Sequence, residues 1–170
     1  PPSFDNFVAG RNGETLTGLA AWLAPENGET LFMLWGEKGA GKSHLLRAAA
    51  ADYHDAQCDA ALSALPVDGS FFAVDHLDAL DAAGQIRLFN LINRLRADGG
   101  RLLTAAVRPP TQLALREDLR TRLASGLVYR LHSLSDDEKR AALAAQAAER
   151  GLSLPDEAWI YLLQRAPRDM

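Results

Sequence analysis

The eight residues GEKGAGKS at 36–43 constrain this chain more than any other stretch. They follow the short apolar run TLFMLW (30–35) and lead into HLLRAAAADYH, so a glycine-rich turn joins a buried strand to a helix. The spacing G-x-x-x-x-G-K-[ST] is met in full. Gly39 and Gly41 let the backbone fold tightly with its N–H groups turned inward, and the helix N-terminus adds partial positive charge. That combination cradles phosphate oxygens. Gly36 and Ala40 complete the loop, Lys42 reaches for the β- and γ-phosphates, and Ser43 supplies a magnesium ligand. His44 either lines the nucleotide site or serves the first turn of the helix. The alternative, an incidental Lys–Ser after a glycine turn, has the flanking strand and helix against it.

The remaining pattern alternates strands with helices. Residues 14–24 carry helical spacing and stop at Pro25; CDAALSALP is a weak candidate for a second strand. FFAVD (71–75) is a buried strand, and residues 85–100 form an amphipathic helix with Ile86, Phe89, Ile92 and Leu95 in one stripe. RLLTAAV (101–107) is a strand, a short helix covers 117–124, and LVYRL (127–131) is the last strand. Such alternation predicts a parallel sheet covered on both faces. After Leu131 the pattern becomes purely helical. Ser135 and Glu138 have capping-box spacing, and LPDEAWIYLLQRA makes a second helix. The expected organisation is therefore an α/β nucleotide-binding domain at 1–132 and the start of an α-helical lid at 133–170, with the sequence stopping soon after its second helix.

Bulk properties narrow the class. A net charge of −4 argues against a generic DNA-coating protein, which needs clustered Lys and Arg to neutralise phosphates. No apolar run has bilayer length and no signal peptide is seen, so no membrane role is expected. A lone Cys58 cannot form a disulfide within the chain, and the natural setting is a reducing cytoplasm. The four histidines have no metal-ligand spacing with that cysteine.

Asp75 ends its strand where a carboxylate can hold magnesium through water; capping of the next turn is the alternative. The following residue is His76 rather than a second acid. With Asp78 it reads as a surface residue of the turn, so hydrolysis in the chain's own site should be slow.

Taken together, the phosphate loop, Asp75 and the helical tail resemble the AAA+ ATPases of the bacterial initiator DnaA clade. FDNFVAG (4–10) resembles the segment that contacts adenine in that clade, which nominates Phe7 and Val8. GEKGAGKSHLL, RLLTAAVRPPTQL, LRTRLASGLVYRL and LSDDEKRAALAAQAAERGLSLPDEA resemble most closely its regulatory-inactivator branch, and the short stretch before FFAVD leaves no room for DnaA's longer insertion. The resemblance implies a five-stranded parallel sheet in AAA+ order, bound ATP or ADP with Mg2+, and DnaA as partner. It also implies that Arg122, in LRTRLASGL, is an arginine finger acting in trans on ATP held by DnaA. The plain alternative is a solvated or salt-bridged arginine near Glu117 and Asp118. The polar sensor of the fourth strand falls within TAAV, where Thr104 alone is polar and Val107 holds the matching place. A second sensor arginine would lie near Arg168, which is not assigned. The branch also docks on the polymerase sliding clamp, but no clamp-binding peptide precedes Phe4, and Leu113 and Leu115 of QLAL read as packing residues. DNA contact, if made, would be indirect. The competing readings are an autonomous DnaA-like ATPase or helicase loader, and a nucleotide-locked adaptor without catalytic role.

Overall fold

The computed structural model describes residues 1–49 and 52–153, together with 155, 157, 158, 160 and 161. In chain order it forms α1 (Gly13–Leu23), β1 (Leu31–Trp35), α2 (Lys42–Ala48), β2 (Asp52–Asp55), β3 (Phe71–Asp75), α3 (Ala82–Asp98), β4 (Arg101–Ala106), α4 (Glu117–Ala124), β5 (Leu127–Arg130) and α5 (Asp136–Glu149). The strands make one parallel sheet in the order β2-β3-β4-β1-β5. Among the described residues no helix is long and apolar enough to cross a membrane.

Side chains alternate across the sheet, and each face acquires its own core. Leu31, Met33, Phe72, Val74, Leu102 and Ala106 meet Leu88, Ile92 and Leu95 of α3 and Leu119 and Leu123 of α4. Phe32, Leu34, Ala73, Leu103 and Ala105 meet Leu19 and Trp22 of α1 and Leu45 and Leu46 of α2. With both faces covered, the central strands can be apolar at every position, which is why TLFMLW and RLLTAAV carry no alternation.

Two sequence expectations are corrected. The second strand is not CDAALSALP, which forms turns, but DYHD at 52–55, on residues read as the tail of a helix that in fact ends at Ala48. This strand lies at the sheet edge, pairs only with β3, and leaves its polar side chains partly exposed, so it never needed an apolar run. On α3 the buried stripe is Gly84, Leu88, Leu91, Ile92 and Leu95; Ile86 is exposed and Phe89 half-buried. The stripe is rotated because Gly84 packs against the Ala60 carbonyl, where a Cβ would stand 2.0 Å away.

Helix ends follow their sequence signals. Gly99, at φ +75°, closes α3 with its N–H on Leu95 O. Ser135 and Glu138 form a full capping box on α5. The second lid helix, expected over 154–166, falls largely outside the described residues, as do Trp159 and Arg168. The lid start is tied back to the N-terminal segment: buried Asn12 donates to His132 O (2.8 Å) and accepts from His132 N (2.7 Å).

Candidate nucleotide-binding site

β1, between β4 and β5, delivers the phosphate loop to the C-terminal edge of the sheet, where α2 begins. Gly39 and Gly41 take φ +82° and +99°, the left-handed region in which a side chain is strained. Gly36 must lack a Cβ for a different reason: one would stand 2.2 Å from Leu131 O. Lys42 is buried and its ammonium donates to the carbonyls of Gly36 and Glu37, both at 2.7 Å. Burial lowers its pKa, against opposing attraction from Asp75, Asp78 and Glu37. The first N–H groups of α2, on Lys42 and Ser43, have no intrahelical acceptor. A loop with free inward donors and a lysine held by its own carbonyls suits an incoming phosphate, which would draw the ammonium across.

The N-terminal segment lies over this loop. The Phe7 ring rests on Gly41, 2.7 Å from where a Cβ would be, and 5.5 Å from the His44 ring. His44 Nε2–H donates to Ser3 O at 2.8 Å. Val8 is half-buried beside Phe7 in sequence. The structure thus brings Phe7, His44 and the loop together.

Asp75 also faces the α2 side, since Phe71 and Ala73 pack in that core and Phe72 and Val74 in the other. It is fully buried. Its Oδ1 accepts from His76 N and its Oδ2 from the Tyr53 hydroxyl, each at 2.8 Å. Tyr53 was not singled out in the sequence; it sits on β2, the strand that the apolar pattern did not reveal. Burial first, then the hydrogen bond to Asp75, pushes the Tyr53 pKa well above its ordinary value. The Arg47 guanidinium covers the Tyr53 ring at 4.7 Å. No hydrogen bond joins Ser43 to Asp75. As arranged, these residues do not fit a magnesium ion held through Asp75, because a side chain only 1% exposed offers almost no surface to a metal-bound water.

His76 is more than a surface residue of the turn. Its Nδ1–H donates to Asp55 Oδ1 at 2.8 Å and lies 3.7 Å from Asp75 Oδ1. The backbone at His76 is left-handed, φ +54°. Asp78, by contrast, is exposed. On β4, Thr104 points to the α3 side, away from the phosphate loop, while Val107 just past the strand is exposed.

Arg122 is nowhere near these groups. It sits on α4, whose buried Leu119 and Leu123 anchor it to the opposite face of the sheet. Its guanidinium lies 5.6 Å from the Phe89 ring centroid, over an open surface pocket of about 810 Å³. Among the described residues Arg122 has no carboxylate partner; Asp118 pairs with Arg116 at 2.8 Å. Arg130 stacks on Trp35. Leu113 and Leu115 are buried in the core, as packing residues should be.

A glycine-rich phosphate loop at the end of an interior strand, in a parallel sheet of this order with a helical segment after it, defines a P-loop AAA+ domain. Residues 2–82 match the sequence model of the bacterial DnaA ATPase domain, and residues 136–170 match that of the Hda lid domain. The chain belongs to the DnaA/Hda-like family of AAA+ proteins. Its fold resembles AMPPCP-bound DnaA from Aquifex aeolicus with a TM-score of 0.77 at 21% identity, covering 98% of this chain and 61% of that one. Domain III of the Thermotoga maritima replication initiation protein DnaA gives 0.74 at 18% identity, covering 95% and 80%. The Thermotoga maritima RuvB Holliday junction branch migration motor gives 0.64 at 21% identity, covering 98% and 59%. At these identities the likeness establishes the fold. The chain spans about three fifths of the length of the first of these DnaA chains.

Proposed function

We propose that this chain is a DnaA-family AAA+ regulator that holds ATP or ADP in the Gly36–Ser43 loop and promotes ATP hydrolysis on DnaA in trans, lowering initiation of DNA replication. The observation that carries this reading is the placement of Arg122. Its guanidinium has no carboxylate partner among the described residues, rests on Phe89 beside an open pocket, and is separated from its own phosphate loop by the sheet. An arginine so placed suits a neighbouring molecule's nucleotide. There it would neutralise charge developing on the transferred phosphoryl group, an effect of about three to five orders of magnitude in rate.

In this reading the loop and the Phe7–His44 segment hold the nucleotide as a structural clip, and Asp75 and His76 leave the chain's own site a slow catalyst. The match to an Hda lid favours the inactivator over an autonomous ATPase or helicase loader. The cytoplasm is the setting, the sliding clamp a second partner through a segment other than QLAL, and DNA is met through these partners.

The test is ATP hydrolysis by DnaA on clamp-loaded DNA, with this protein and with Arg122→Ala. Loss of stimulation with DnaA binding retained supports the finger. Unchanged stimulation leaves the adaptor, and strong phosphate release by this protein alone leaves the autonomous ATPase.

A further inference from the structure

We infer that Tyr53 seals Asp75 against any cation, so that this phosphate loop takes its nucleotide without help from a divalent metal. The inference rests on the nucleotide-holding role of the Gly36–Ser43 loop and adds a selectivity to it.

Three elements converge on one carboxylate. β2 supplies the Tyr53 hydroxyl to Oδ2 and the turn after β3 supplies the His76 N–H to Oδ1, both at 2.8 Å. α2 supplies Arg47, whose guanidinium lies 4.7 Å from the centre of the Tyr53 ring and fixes the phenol in place. Asp55 holds the His76 ring from the far side at 2.8 Å. The Asp75 side chain is left only 1% exposed.

A carboxylate that positions a magnesium ion through water must present a lone pair to that water. Here one oxygen accepts from a phenol and the other from a backbone amide, and with the side chain only 1% exposed the remaining lone pairs face protein rather than solvent. Displacing Tyr53 would strand a half-buried hydroxyl, an unfavourable exchange. Lys42 meanwhile remains as the charge that a phosphate can recruit, because among the described residues its hydrogen-bond partners are the loop's own carbonyls. The loop can therefore grip phosphate with backbone N–H groups and one ammonium, and a metal arriving with the nucleotide would meet only the Ser43 hydroxyl, which merely replaces a water, and not Asp75.

Calorimetric titration of the purified protein with ADP, in millimolar Mg2+ and in EDTA, tests this. The wild type should bind with affinities within about twofold of each other. Tyr53→Phe removes only the hydroxyl and keeps the ring under Arg47; it should make Mg2+ tighten ADP binding by about tenfold. In Tyr53→Phe/Asp75→Asn that gain should disappear. Strong tightening by Mg2+ in the wild type overturns the inference, as does a Tyr53→Phe protein that binds like the wild type in both buffers. If Tyr53→Phe misfolds, the wild-type comparison alone still decides. No ADP binding by the wild type in either buffer would instead refute the nucleotide site itself.

Discussion

Replacing Thr104 with valine should stabilise this protein and leave its nucleotide site untouched. Thr104 is 1% exposed in the middle of β4, and its hydroxyl has no hydrogen-bond partner among the described residues. In register it stands beside Met33 and Val74, with Leu102 and Ala106 on the same face. A buried hydroxyl without a partner costs about 1–3 kcal/mol, and valine keeps the β-branched shape while removing it. Allowing for imperfect repacking, a gain of about 1–2 kcal/mol follows, or roughly 2–8 °C in melting temperature for a chain of this size. Urea unfolding should show a higher midpoint at an unchanged slope. Because this face of β4 looks at α3 rather than at the phosphate loop, ADP affinity should stay the same. A lower midpoint would show that the hydroxyl has a partner, and weakened ADP binding would place Thr104 at the phosphates.

Asn12→Ala removes both bonds to the His132 backbone across 120 residues of sequence, and should cost about 2–3 kcal/mol in urea unfolding; a cost under about 0.5 kcal/mol would show that the clasp is not structural. Tyr53 should ionise well above the ordinary phenol range in an alkaline absorbance titration, and Tyr53→Phe should delete that high step. The sign for stability follows from linkage. A folded pKa above the unfolded value near 10.0 gives a contribution fully present below that pH and lost as pH rises through the higher folded value. Ionisation of Tyr53 in the ordinary phenol range, with no high step lost in Tyr53→Phe, would refute the Tyr53–Asp75 bond.

Legibility in the sequence tracked physical distinctness. The phosphate loop and Asp75 could be read because each is a local pattern: glycines at fixed spacing, and an acid closing a buried run. The capping box at Ser135 and Glu138 was equally local. β2 was missed because an edge strand bonded through its backbone needs no apolar signature. With it went Tyr53, whose role depends on the register that sets β2 against β3, with Tyr53 opposite Ala73 and two residues before Asp55 meets Asp75. The pairing of His76 with Asp55 hid for the same reason. Sequence spacing places His76 in a turn; only the neighbouring strand shows what its ring meets.

Strand alternation also separates the phosphate loop from the face that carries Arg122. Along β3, odd positions from Phe71 to Asp75 face α2 and the phosphate loop, while Phe72 and Val74 face α3 and α4. Arg122 is anchored to that second face by Leu119 and Leu123, each worth about 1.5–3 kcal/mol of burial, so α4 will not swing around the sheet edge. Any phosphate that Arg122 touches must then belong to another molecule. Dilution offers a direct check on this geometry. Whatever residual hydrolysis the protein performs alone should be identical in the wild type and in Arg122→Ala at concentrations where only monomers are present. A loss there would mean that the arginine reaches its own nucleotide, which this arrangement of helices and sheet forbids.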